Sequence, residues 1–354
     1  MDQDAVILTS YFRERHRAGR PGGTLIDLYG RRCVAASILL RGIEGYGPGQ
    51  PDGGIRARPL PEHPSLTAVA VDTRPRIYAM LDEVVRLAQP QLITLERARL
   101  LSAEIEPLWL TEPPAEATRL TIYCGYADRV YQVPAFEAAC ELLYRRGVAG
   151  ATVLSGVDGT GRGRRQRAHF LRHGADAPLM VVAVGSGKLI GMMLPELGGL
   201  FRHPLMTLAS VRLCKRDGQF VSRPETQSSA EAAAAAAAAG LAPLVKLTVY
   251  TSEAARQDGQ PAHRAIVSRL RSAGVSGATS QRGTWGFHGE HAPHGDHFPR
   301  HGHHVPVVTT VIDRAERIGL AFDVIDALTP GRGLVTAEAV LTPQPAEARS
   351  DQGA

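Results

Sequence analysis

The sequence predicts an α+β chain of three tandem domains, each running β-α-β-β-α-β. Three observations carry that prediction: a phrase written three times, β-type alternation flanking each copy, and helical stripes framed by proline and glycine. The phrase is Cys33-Val34-Ala35-Ala36-Ser37-Ile38 leading into Arg41-Gly42-Ile43-Glu44-Gly45-Tyr46-Gly47. It recurs as Gly147-Val148-Ala149-Gly150-Ala151-Thr152 into Ser155-Gly156-Val157-Asp158-Gly159-Thr160-Gly161. The third copy is Gly274-Val275-Ser276-Gly277-Ala278-Thr279 into Arg282-Gly283-Thr284-Trp285-Gly286-Phe287. Val34, Val148 and Val275 each stand eight residues before the next motif glycine, and successive copies lie 114 and 127 residues apart. Such periods suit whole small domains rather than solenoid units.

The second copy is the clearest. Arg119–Tyr123 alternates and is rich in β-formers, as a first strand should be. Pro134 opens a helix whose Phe136, Ala139, Cys140 and Leu143 share one stripe, and Gly147 stops it. Ala151–Leu154 is a short second strand, followed by a glycine- and arginine-rich loop from Ser155 to Asp176. The apolar run Pro178–Val184 reads as a buried third strand. A helix from about Lys188, weakened by Pro195, and a closing strand Leu205–Val211 complete the unit. The third copy repeats this with Lys246–Tyr250, Pro261–Ala273, Val305–Ile312, Arg314–Leu328 and Leu334–Glu338. In the first, Ala5–Ser10, Leu25–Arg31, Ile38–Leu40, Leu66–Val71, Pro75–Ala88 and Leu92–Arg99 fill the same slots. The order is the split βαβ, or ferredoxin-like, pattern.

The copies are thus expected at 1–105, 119–216 and 245–343. Between them lie an extended linker (106–118) and an alanine-rich one (217–244), with a disordered polar tail at 344–354. Eight consecutive alanines (232–239) favour helix by propensity, but they offer no apolar stripe, so the expectation is a flexible or nascently helical tether. A formal charge of +5, with 44% hydrophobic and 21% charged residues, describes a globular chain and gives no argument for nucleic acid. Four cysteines without close pairing read as free thiols in a reducing compartment. With no apolar run long enough to span a bilayer, the expectation is a cytoplasmic protein without a transmembrane segment.

A family resemblance emerges from these residues. The pattern is a strand ending in Ile122-Tyr123 or Val249-Tyr250, then a helix, then Gly-x-Ala/Ser-Gly-Ala-Thr and x-Gly-x-x-Gly. A closing Leu205-Met206-Thr207 or Leu334-Val335-Thr336 follows. This is similar to the PII-like domain of unknown function, a relative of the nitrogen-regulatory PII proteins. The second and third copies match nearly throughout; the first matches mainly at Val34–Gly47 and departs at Pro59–Pro64. The resemblance implies a sensor, not an enzyme. It implies an adenine-nucleotide or other anionic effector in clefts between subunits, and a loop that engages a transporter, channel or enzyme. Three fused copies imply an intramolecular PII-like pseudo-trimer, monomeric as a chain.

The candidate ligand residues follow from chemistry and position. Gly156, Gly159 and Gly161 allow close backbone approach to an anion, and Arg162, Arg164 and Arg165 offer forked donors for phosphate. The counterparts are Arg41, Gly42, Gly45 and Gly47 in the first copy and Arg282, Gly283 and Gly286 in the third. There Trp285 and Phe287 would stack on a base or anchor the loop. The alternative is that these glycines merely shape a turn. Gly185-Ser186-Gly187-Lys188 fails as a phosphate loop: Val182 stands where a glycine is needed and Leu189 replaces the Ser/Thr. His288, His291, His294 and His297 are candidate zinc ligands within a histidine-rich stretch. Extended chain would hold residues three apart at roughly 9 Å, so the stretch must fold back to share a metal. A metal-binding module, or a scaffold with decayed clefts, is the alternative function. No catalytic constellation is evident.

Overall fold

The structure, a computed structural model, describes residues 2–13, 21–47, 65–88, 92–102, 105–108, 116–161, 164–167, 177–225, 230–289, 292–295, 305–331 and 333–344. It is a mixed α+β chain with antiparallel strand pairing, and the order β-α-β-β-α-β appears in three successive units once short hairpins are set aside. Unit 1 comprises β1 (Asp2–Arg13), α1 (Pro21–Arg31), β2 (Ala36–Arg41), β3 (Glu44–Tyr46), β4 (Ser65–Thr73), α2 (Arg74–Ala88) and β5 (Leu92–Ser102). Unit 2 comprises β6 (Glu116–Gly125), β7 (Arg129–Val130), β8 (Val133–Pro134), α3 (Ala135–Arg145), β9 (Gly150–Ser155), β10 (Asp158–Gly161) and β11 (Arg164–Arg167). It ends with β12 (Pro178–Gly185), α4 (Gly187–Gly199) and β13 (Leu205–Arg216). After β14 (Gln219–Phe220) and α5 (Ala230–Ala238), unit 3 opens with β15 (Leu241–Ser252), β16 (Arg256–Gln257), β17 (Gln260–Pro261), α6 (Ala262–Ser272) and β18 (Ala278–Arg282). It continues with β19 (Trp285–His288), β20 (His294–Gly295), β21 (Pro306–Asp313), α7 (Ala315–Leu328) and β22 (Leu334–Pro343).

Within each unit the strand order is the same: β2-β4-β1-β5, β9-β12-β6-β13 and β18-β21-β15-β22. Alternation along a strand sends one set of side chains to the helices and the other inward. Val6, Leu8 and Phe12 accordingly pack with Leu25, Ile26 and Ile77 from α1 and α2, while Ala5 and Ile7 join an inner cluster with Leu154, Val182 and Val308 from the other units. The closing strands also meet: β13 pairs with β5 and β22, and Leu341 of β22 pairs with Leu95 of β5.

Helix stops behave as the sequence implies. Gly147 and Gly274 take φ of 79° and 75°, and their worn counterpart Cys33 takes 49°. The next amide reaches back in all three: Val148 N to Leu143 O, Val275 N to Leu270 O, Val34 N to Tyr29 O.

Several expectations change. The alanine tether is a helix, α5, and Ala236 is buried in unit 1's helix-side core beside Leu241. Propensity forms the helix, and one small residue suffices to dock it. Strands β6 and β15 begin at Glu116 and Leu241, inside the expected linkers, because neighbouring strands extend far enough to pair them. The first linker is seated as well, since Leu108 N donates to Gly191 O on α4 at 3.2 Å. A Cβ on Gly191 would meet Leu108 O at 1.9 Å, so glycine permits that crossing. The loop expected at Ser155–Asp176 includes β10 and β11. The tail beyond Gln344 lies outside the described residues.

Three two-residue hairpins share positive φ at both central positions: Asp217-Gly218 (50°, 77°), Asp258-Gly259 (49°, 78°) and Tyr131-Gln132 (45°, 74°). This is the geometry for which Asp-Gly is suited and Tyr-Gln is not. Tyr131 is 97% exposed, so little packing offsets its strain. Replacing Tyr131-Gln132 with Asp-Gly is expected to raise stability by about 1 kcal/mol, read from thermal unfolding.

Candidate functional site

The repeated Gly-x-x-Gly phrase forms the seams between units. Strand β10 of unit 2 adds to β2 of unit 1, β3 of unit 1 adds to β18 of unit 3, and β19 of unit 3 adds to β9 of unit 2. The cycle closes. Each crossing uses the same two amides. Gly42, Gly156 and Gly283 donate to Ser65, Pro178 and Pro306 carbonyls in their own units at 2.7–2.9 Å. Ile43, Val157 and Thr284 donate to Ser280, Leu39 and Val153 carbonyls in the neighbouring unit, each at 2.8 Å.

The glycines are needed because backbones approach closely. A Cβ on Gly159 would meet Ser37 O at 2.5 Å, on Gly45 Ala278 O at 2.9 Å, and on Gly286 Ala151 O at 2.2 Å. Gly286 also has φ of 147°. A Cβ on Gly156 would meet the Ile38 and Pro178 side chains, on Gly283 the Pro306 carbonyl and Thr152, and on Gly42 Ser65 and Thr279, while Gly161 pairs with Ala36. Gly47 follows β3, half-buried. Among the described residues these glycines lie where strands of neighbouring units are added.

Each seam is anchored differently. Phe287 is fully buried against Tyr144 of α3, ring centroids 5.3 Å apart. In the matching place Tyr46 lies under the Arg271 guanidinium, and Thr160 lies over Gly30 while sharing a 2.7 Å hydrogen bond with Ser37. Trp285 meets Phe136 edge-on at 6.2 Å, so both third-copy aromatics are anchors.

The predicted arginines separate. Arg165 makes paired bonds to Asp158 (3.1 and 2.6 Å) and contacts Asp27 of α1 across the seam, which commits its charge to two carboxylates. Arg282 donates to Glu253 at 2.9 Å, and Arg41 is exposed at the end of β2. Arg164 lies on β11, whose backbone alone is described there; Arg162 lies outside the described residues. Of the histidines, His288 ends β19 and His294 begins β20, its Nδ1 2.8 Å from Ala292 O; His291 and His297 lie outside the described residues. No group of three or more metal-ligating side chains occurs among the described residues. Ser186 caps α4 by accepting from Leu189 N.

A second polar centre was not anticipated. On the inner faces, Arg119 bridges Glu96 (2.8 Å) and Glu338 (3.0 Å), and Lys246 bridges the same two carboxylates at 2.7 Å each. Glu96 belongs to unit 1, Arg119 to unit 2, and Lys246 and Glu338 to unit 3. Burial works against ionising Glu96, but Lys246 and Arg119 override it and hold its carboxyl down to about 2. The adjoining cavity, lined by Tyr11, Tyr123, Tyr250 and Thr9 among others, measures roughly 70 Å³. That admits a few waters; pockets for larger ligands run to ~300 Å³ and above. Charged residues at inward strand positions were the available sequence signal.

The DUF190 family model, described as uncharacterized ACR, matches residues 117–213 and 244–342, more than half of the chain. The chain belongs to the DUF190 family. The match covers units 2 and 3 of this DUF190 protein. Among solved structures, the aspartate kinase from Synechocystis aligns over 96% of this chain and 45% of that one, at 10% identity and a TM-score of 0.24. The chain spans under half of that enzyme's length, and the likeness is too slight to carry weight. Among the described residues, no helix of the DUF190 protein is long and apolar enough to cross a membrane.

Two outcomes test these centres. Gly286→Ala is expected to cost about 2 kcal/mol or more by urea unfolding, whereas Gly199→Ala, with nothing near its Cβ, is expected to be tolerated. Arg119→Met is expected to cost about 3 kcal/mol at pH 7, because two buried carboxylates then share one cation. Because Glu96's folded pKa lies below its unfolded one, its contribution is present above the ordinary carboxylate pKa and is lost as pH falls toward about 2. The Arg119→Met deficit should therefore shrink in acid.

Proposed function

We propose that this DUF190 protein is a PII-like regulatory protein. Three ferredoxin-like units close as an intramolecular pseudo-trimer, and an anionic effector, an adenine nucleotide by first choice, binds in a cleft between units. Occupancy is reported through a loop to a protein partner such as a transporter, channel or enzyme. The observation that supports this reading most is the closed cycle of strand additions, which builds every cleft from two units. A ligand in a seam therefore bears on two units at once. It biases loop states by its differential affinity for them and no more.

The cavity beside Glu96, Arg119 and Lys246 is too small for a nucleotide. In the second copy's loop, Arg165 already serves two carboxylates. The proposed role is binding rather than bond-making chemistry.

Calorimetric titration of the full chain with ATP, ADP, AMP and cyclic nucleotides, with and without zinc, tests the reading. Saturable binding at about one site per chain is expected, because the three seams differ in chemistry. Zinc uptake without nucleotide binding would transfer the proposal to the histidine-rich stretch.

A further inference from the structure

Ile7, Arg119 and Lys246 hold one inward position in the three units, and Tyr11, Tyr123 and Tyr250 each follow it by four residues. Side chains four apart on a strand share a face. One tyrosine from every unit accordingly lines the cavity of roughly 70 Å³ beside the buried charges. Because β1, β6 and β15 all contribute to its wall, this chamber lies where three units meet rather than in a seam between two.

The wall is rich in donors. Arg119 reaches Glu96 and Glu338 through Nη2, at 2.8 and 3.0 Å, while its Nε is buried without a hydrogen-bond partner. Thr67, on the same wall, has its Oγ1 buried and unpartnered as well. Burial pushes all three tyrosines up, Tyr123 to about 12, so near pH 7 each is a neutral hydroxyl that can donate. Arg119, Lys246 and Glu96 line the chamber and Glu338 does not, so the wall carries two cations against one carboxylate. A guanidinium N–H left unpaired in the interior is costly, which calls for an acceptor in the chamber. Water takes ~30 Å³ in the liquid, so the space suits two or three waters, or one ion of up to about four heavy atoms.

We propose that this chamber binds one small monoanion, a halide or a formate-sized oxyanion, on the Arg119 Nε–H and the tyrosine hydroxyls. Hydrogen bonds from N–H and O–H donors to an ion are about twice as strong as those between neutral groups. The surplus positive charge of the wall, acting in a low dielectric, favours an anion over water. All three units hold the ion at once, so its binding stabilises their closed cycle. The site is independent of any nucleotide bound in a seam.

The test dialyses the full chain into gluconate, an anion too large for the chamber. Sodium bromide or sodium formate is then titrated in at constant ionic strength while the thermal unfolding midpoint is read. A saturable rise is expected with at least one of them, and the tighter ion distinguishes a halide from an oxyanion site. Arg119→Lys keeps the charge that both carboxylates need, as Lys246 does at the matching position of unit 3, but removes the Nε–H. Its affinity for the anion should fall at least ~10-fold. Tyr250→Phe leaves the charges intact and should also weaken binding, which keeps the test decisive if Arg119→Lys fails to fold. Diffraction from crystals grown in the tighter anion should place it beside Arg119 Nε, by its anomalous signal in the case of bromide. No saturable response to either anion, a response untouched by the folded variants, or a chamber holding water alone overturns the site.

Discussion

An open strand edge must be paired or covered, and the architecture follows from how this chain meets that requirement. The second strand of each unit's sheet would end the sheet with unpaired amides and carbonyls. Each is instead continued by a short strand from another unit, β10 on β2, β3 on β18 and β19 on β9. No unit completes its sheet alone. The approach is close enough that Gly45, Gly159 and Gly286 face neighbouring carbonyls, which is why the repeated phrase tolerates so little change at its glycines while its other positions diverge.

The buried charges turn a cycle of similar units into an ordered one. The equivalent inward positions are Ile7, Arg119 and Lys246 on the first strands, and Glu96, Ala209 and Glu338 on the last. A ring of identical units would bring three like charges together at each position. Here two cations and two carboxylates remain, balanced only when units 1, 2 and 3 are all present. Such a network contributes modestly to net stability against an apolar alternative, since desolvation offsets most of the attraction. It penalises wrong arrangements heavily, because any unit out of place leaves a buried charge unpaired.

Fusion has also released the seams from identity. Phe287 on Tyr144, Tyr46 under Arg271 and Thr160 over Gly30 are three solutions to one packing problem. The aromatic seam packs Trp285 against Phe136 and Phe287 against Tyr144. The seam of units 1 and 2 is closed by Ser37–Thr160 and by Arg165 with its two aspartates. Buried polar atoms without a hydrogen-bond partner occur in two of the seams: Trp285 Nε1 beside Phe136, and His263 Nδ1 and Glu253 Oε2 where units 1 and 3 meet.

The sequence by itself determined the local elements and their threefold recurrence. Strand alternation, the Pro134 and Gly147 frame of α3, and the stops at Gly147 and Gly274 are short-range consequences of backbone sterics and burial, so they were legible without a partner strand. The motif glycines were legible as places of close approach, but not what approaches, because that depends on a strand over a hundred residues away. The same distance hid the pairing of Arg165 with Asp27 and the meeting of Glu96, Arg119, Lys246 and Glu338. It also hid the docking of Ala236, since a single small residue makes no stripe. Tertiary structure alone decided which charges are neutralised and which polar atoms stay unsatisfied, because both depend on the neighbour that folding brings alongside.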